Sequence, residues 1–130
     1  MNTSLGPSPG ANRYPEHRIS IEPNPGRWQA TLNGRVVADS TGTLALDESR
    51  FGRVIYFPAA DVLTGELLRS DSRTTCPFKG EARYYAAEVD GKVRDVAWFY
   101  PDVYAEVAGI AGYVGFYTEH VHVGQVASGE

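Results

Sequence analysis

The stretch TTCPFKGEARYY, Thr74 to Tyr85, holds the chain's only cysteine, a lysine three positions later, a glycine, and a run with strand character. Cys76-Pro77-Phe78-Lys79 puts proline at the second position of a four-residue turn, where type I geometry favours it, and such a turn brings its end Cα atoms within about 7 Å. A cation at that distance favours thiolate over thiol, the form that acts as a nucleophile. Small β domains often bury a lone cysteine as a small hydrophobe, and no histidine stands near this one in sequence, so the structural reading leads. The reactive reading of Cys76 stays open beside it.

Other residues could share a pocket with it. Asp61 follows a strand ending at Phe57 and is expected to face Lys79, an acid and base pair, while Arg69 and Arg73 add positive charge beside Thr74 and Thr75. Guanidinium groups take carboxylate or phosphate bidentately, so this spacing suggests an anion cradle. Tyr84, Trp98 and Tyr100 offer ring faces for stacking on a planar or sugar-like ligand. Taken singly, an exposed Arg or Asp on a loop is ordinary solvated surface, and Gly80 can serve simply to permit a positive φ. His120 and His122 alternate with Val121 and Val123, a spacing able to chelate a metal, but no third ligand is in view and no metal is expected.

The elements that must position these groups read as short strands. In RWQATLNGRVVADS the Asn33-Gly34 pair sits between two alternating runs and predicts a hairpin with a two-residue type I′ turn. RISIE before it ends at Pro23 and Pro25, and GTLALDE and RVIYFP supply two more strands, the last stopped by Pro58. AADVLTGELLRS has helical spacing interrupted by Gly65 and predicts one or two short turns. PDVYAEVAGI predicts a short helix with Pro101 at its first position and Gly109 at its end, and GYVGFYTEHVHV a closing strand. Downstream of the cysteine, EARYYAAEVDGKVRDVAWFYP is a second hairpin with two competing registers. The preferred one has Gly91 in a bulged three-residue loop and pairs Glu88 with Lys92. It groups Ala82, Tyr84, Ala86, Val96, Trp98 and Tyr100 on one face, and leaves Arg83, Tyr85, Ala87, Val93, Ala97 and Phe99 on the other. A core behind and a binding wall in front fit that pattern; so does packing on both sides.

The expected fold is thus mainly β: a compact antiparallel, hairpin-built sheet or tent-like sandwich with one or two short helices. Residues 1–16, rich in Gly, Pro, Ser and Asn, are expected to form a flexible arm, 17–123 a single domain, and 124–130 a flexible tail. A chain of 130 residues fits one domain. The net charge of −4, without a long run of either sign, gives no footprint for duplex nucleic acid. One cysteine forms no internal disulfide, and nothing resembles a signal peptide or a membrane span. A cytoplasmic protein is expected, with no cofactor.

YFPAADV, TTCPFKGEARYY and AWFYP, followed by YVGFY, together resemble the family called domain of unknown function 427, over most of Ile19 to Val123. The resemblance implies a compact, mostly β bacterial domain and sets Tyr56, Pro58, Asp61, Cys76, Lys79, Gly80, Tyr84, Trp98 and Tyr100 on characteristic positions. It implies no established activity. The family has carried a nucleotidyltransferase label, but the chain lacks the closely spaced carboxylates that would hold magnesium beside a glycine-rich turn. Tent-like β domains often hold zinc through paired Cys-x-x-Cys knuckles, absent here.

Three function classes follow. A binding module would hold a small anionic or planar ligand among Tyr56, Asp61, Arg69, Arg73, Thr75, Cys76, Lys79, Tyr84, Trp98 and Tyr100. An enzyme would use Cys76 as nucleophile or Asp61 and Lys79 as acid and base. An interaction module would dock a partner, or a second copy as a homodimer, on its aromatic face. The binding module is preferred.

Overall fold

The structure is a computed structural model that describes residues 6–127. Its local logic begins with two tight hairpins. β2 (Arg27–Leu32) and β3 (Arg35–Ser40) are joined by Asn33 and Gly34, both at positive φ (52° and 79°), as a type I′ turn requires. β7 (Gly80–Val89) and β8 (Lys92–Phe99) are joined the same way by Asp90 and Gly91, at 52° and 80°.

That second turn corrects the expected register: Val89, not Glu88, pairs with Lys92, so the turn has two residues and no bulge. The bulge lies further along, where Ala86 faces Asp95 and Tyr85 faces Ala97. Val96 is the additional residue. It turns to the same core as Ala97, both fully buried, and so leaves the face expected for it, while Ala82, Tyr84, Trp98 and Tyr100 stay together on the other.

β1 (Ile19–Pro23), β4 (Leu44–Glu48), β5 (Gly52–Pro58), β9 (Tyr113–Phe116), β8, β7 and β6 (Leu68–Cys76) form a seven-stranded antiparallel sheet in the order β1-β4-β5-β9-β8-β7-β6. β10 (His122–Val126), β2 and β3 form a second, three-stranded sheet. The stretch read as one closing strand is therefore two, β9 and β10, in different sheets. A turn at residues 118–120 makes the crossing, with the Val121 N–H donating to the Tyr117 carbonyl at 2.9 Å.

AADVLTGELLRS forms the short turns expected of it, 3-10 segments at Ala59–Asp61 and Thr64–Glu66. The helix expected from Pro101 starts only at Ala105, as a 3-10 segment to Ile110 that kinks at Val107.

The large sheet packs on both faces. Phe57, Val96, Ala97, Val114 and Phe116 meet Ala30, Leu32, Val37 and Ala38 of the small sheet in the first core. On the opposite face Leu46, Tyr56, Ala82, Tyr84 and Tyr100 are covered by Val103, Val107 and Ile110, a second core built on the same strands.

Of the region expected to form an arm, residues 1–5 lie outside the described residues. Pro9–Arg13 forms a short helix, α1, and the Gly10 N–H donates to the Pro77 carbonyl at 2.9 Å. At the other end, Val126 pairs with Arg27 in β10, and residues 128–130 lie outside the described residues. Among the described residues no helix is long and apolar enough to cross a membrane.

Candidate functional site

The β6–β7 hairpin turns at Pro77, Phe78 and Lys79, with the Lys79 N–H donating to the Cys76 carbonyl at 3.3 Å and Gly80 at a φ of 135°. The turn tucks Lys79 inward, so that only 7% of the residue is exposed. Burying an ammonium requires a counter-charge. It comes from Glu48, the last residue of β4, whose Oε1 lies 2.5 Å from Lys79 Nζ, both side chains being 9% exposed. The other carboxylate oxygen, Oε2, meets His17 Nε2 at 2.8 Å. His17 is in turn stacked on Phe78, with ring centroids 3.8 Å apart and planes 18° apart. Cys76 Sγ lies 4.0 Å from Lys79 Nζ, close enough for the pairing expected from the turn.

This polar cluster closes one end of a cavity of about 420 Å³. Tyr56, Trp98, Tyr100, Val54, Leu46 and Phe51 supply most of its remaining wall. Trp98 Nε1 donates to the Tyr56 hydroxyl at 3.1 Å, which fixes the indole edge-on to the phenol. Burial pushes the Tyr56 phenol well above its ordinary pKa, against the opposing pull of that indole N–H. Burial does the same to Tyr100. Both stay neutral hydroxyls across the physiological range.

Trp98 can lie flat over the sheet only because its cross-strand neighbour on β9 is Gly115. A Cβ there would come within 2.7 Å of the indole ring. The ring also leans on Tyr117, with centroids 4.7 Å apart, and Tyr117 stacks parallel to Tyr84 at 6.4 Å.

Five of the residues singled out in sequence therefore line one cavity: Tyr56, Cys76, Lys79, Trp98 and Tyr100. Tyr84 belongs to the same apolar cluster one layer away, its hydroxyl sharing a 2.6 Å hydrogen bond with Thr74 Oγ1. The other four lie elsewhere. Asp61 accepts a 2.6 Å hydrogen bond from the Ser40 hydroxyl beside the small sheet, and Lys79 has Glu48 as its carboxylate. Arg73 and Thr75 alternate with Thr74 and Cys76 along β6, so strand pleating sends them to the opposite face, where Arg73 approaches Glu81 at 3.8 Å. Arg69 is exposed on the same edge strand, across from Tyr85.

Glu48 and His17 were not singled out. Each is 31 residues from the partner that gives it meaning, and Glu48 reads in sequence as the end of an ordinary amphipathic strand. His120 precedes β10 while His122 begins it, and among the described residues no three His, Cys, Asp or Glu gather as metal ligands.

A second hollow of about 620 Å³ adjoins the first and shares Glu48 and Phe78 with it. Its lining is more polar, including Arg18, Ser20, Asp47 and Ser49.

A family model described as a domain of unknown function (DUF427) matches residues 20–127. No curated protein matches the chain.

Proposed function

The chain belongs to the DUF427 family, and because that description carries no activity, we propose a function from the pocket itself: the domain binds one small planar ligand between Trp98 and Tyr100. The observation that supports this reading is a cavity of about 420 Å³ with aromatic and aliphatic walls and a single buried ion pair at one end. Binding sites for small molecules have this make-up, mostly apolar with a few placed polar groups, and volumes from about 300 Å³ upward. Lys79 and Glu48 would anchor a polar end of the ligand, and the neutral hydroxyls of Tyr56 and Tyr100 would add hydrogen bonds.

The ligand's charge is constrained as well. Lys79 is neutralised by Glu48, and Arg69 and Arg73 leave on the other face of β6, so the pocket lacks the excess positive charge that a polyanion would need. A neutral or singly charged aromatic or heteroaromatic molecule suits it better than a sugar phosphate.

A thermal-shift screen of small aromatic acids, amides, aldehydes and nucleobases tests the reading. A ligand at roughly one hundred times its Kd stabilises by about 2.7 kcal/mol, which raises Tm by about 10 °C for a domain of this size. Val54→Phe, which fills the cavity, should abolish the shift, and Arg73→Ala should leave it intact. A shift that survives Val54→Phe unchanged would put the ligand elsewhere.

A further inference from the structure

The buried lysine narrows the ligand class, in an inference that rests on the pocket being a ligand site. We infer that Lys79 captures a small aromatic aldehyde or ketone as a protonated imine, with Glu48 carrying the protons.

Lys79 Nζ sits between two other cavity-lining groups, 2.5 Å from Glu48 Oε1 and 4.0 Å from Cys76 Sγ, and its side chain has almost no contact with bulk water. An amine so placed meets whatever carbonyl compound the aromatic walls hold, at an effective concentration far above that in solution. The step balances within these groups. The ammonium passes one proton to the Glu48 carboxylate, and the freed lone pair attacks the carbonyl carbon. A C–N bond forms, and a second nitrogen proton moves to the former carbonyl oxygen. Glu48 then returns its proton to that hydroxyl, the C–O bond breaks, and water leaves. Nitrogen keeps its third proton as an iminium, and Glu48 ends as the carboxylate it began as.

Charge conservation selects this chemistry over acyl transfer. An iminium keeps the positive charge opposite Glu48, so the buried ion pair survives the reaction. An amide on Lys79 would remove it and leave a carboxylate that is 9% exposed with His17 as its one other ion-pair partner among the described residues, and a buried carboxylate stripped of its cation is strongly disfavoured.

The chain supplies its own control, because Lys79 and Lys92 are its only lysines, and Lys92 is exposed beside the β7–β8 turn. The full chain is incubated with benzaldehyde and sodium cyanoborohydride at neutral pH, and each lysine is followed by peptide mass spectrometry. Benzyl alcohol, which has the same ring but no carbonyl, reports non-covalent occupancy by thermal shift. The expected result is reduced adduct on Lys79 forming about tenfold faster than on Lys92, the advantage that confinement confers, and suppressed by benzyl alcohol. Lys79→Arg should lose that adduct, and Arg73→Ala, on the other face of β6, should keep both the adduct and the benzyl alcohol shift. Equal or faster modification of Lys92 while benzyl alcohol still stabilises the fold would overturn carbonyl capture and leave the pocket reading standing. No stabilisation by either compound together with an unmodified Lys79 would overturn both.

Discussion

At the scale of single residues, Tyr56 and Tyr100 are held as neutral phenols by burial, and this makes stability depend on pH in one direction. Both native pKa values lie above the ordinary phenol value near 10. Below about pH 10 the groups are protonated in folded and unfolded chains alike and contribute no pH dependence. Above it the unfolded chain releases these protons and the folded one does not, so stability falls as pH rises. Denaturant midpoints measured from pH 8 to 11 should therefore drop, and the drop in Tyr100→Phe should be shallower by about 1.4 kcal/mol per pH unit above pH ~10. Absorbance at 295 nm should show these phenols ionising together with unfolding. An equally steep decline in Tyr100→Phe would contradict their burial as neutral groups. Tyr117 is shifted the same way, but its greater exposure makes its share smaller. Legibility at this scale was uneven for a physical reason. The turn chemistry of Cys76-Pro77-Phe78-Lys79 is local, so the approach of thiol and ammonium could be read from spacing. The carboxylate that completes the pair comes from β4, and no local pattern separates Glu48 from Asp47 beside it.

At the scale of elements, the shape of the cavity depends on one close approach between neighbouring strands. Gly115 on β9 lies under the Trp98 indole, and an added methyl at 2.7 Å must push the ring away from the sheet. Trp98 lines the cavity, so displacement of its ring changes the cavity's shape. Gly115→Ala should lose about 1–3 kcal/mol of stability, the usual range for overpacking. It should also abolish any thermal shift from a ligand held between Trp98 and Tyr100. Unchanged Tm and an unchanged ligand shift would show that the ring has free room to move. Gly115 escaped notice in YVGFY because its constraint is cross-strand. The same reason explains the other differences. Asn33-Gly34 fixed its hairpin because a type I′ turn is a two-residue property. The bulge at Val96 answers to core packing that a single ribbon does not contain. β6 was not foreseen, and its first residues, Leu68 to Ser70, were read with the short turns before it, because LRSDSRTTC is an exposed edge strand whose charged residues need no apolar alternation.

At the scale of the whole molecule, two cores share one sheet, and the chain carries one tryptophan in contact with each. Trp28 packs against the core under the small sheet, and Trp98 against the core on the opposite face. Composition and alternation sufficed to read a mainly β chain, but the double-sided burial of β5, β7, β8 and β9 depends on strand order: β4-β5 and the run from β6 to β9 pair as sequence neighbours, whereas the β1-β4 and β5-β9 junctions that complete the sheet join strands distant in sequence. The shared sheet has an energetic consequence. Tyr56 and Phe57, adjacent on β5, belong to different cores, as do Tyr113 and Val114 on β9. Neither core can lose its sheet face while the other keeps it. Unfolding should accordingly be one cooperative transition, as is usual for single domains of this size. Single-tryptophan variants Trp28→Phe and Trp98→Phe report on opposite cores, and in each the remaining fluorescence should follow the same denaturant curve as far-UV circular dichroism of that variant. Each comparison is internal, so a difference in stability between the two variants does not disturb it. If Trp98 fluorescence moved at lower denaturant than the dichroism, the pocket side would be melting while the small-sheet core stood, and the site would rest on a separately unfolding layer instead of on the shared sheet.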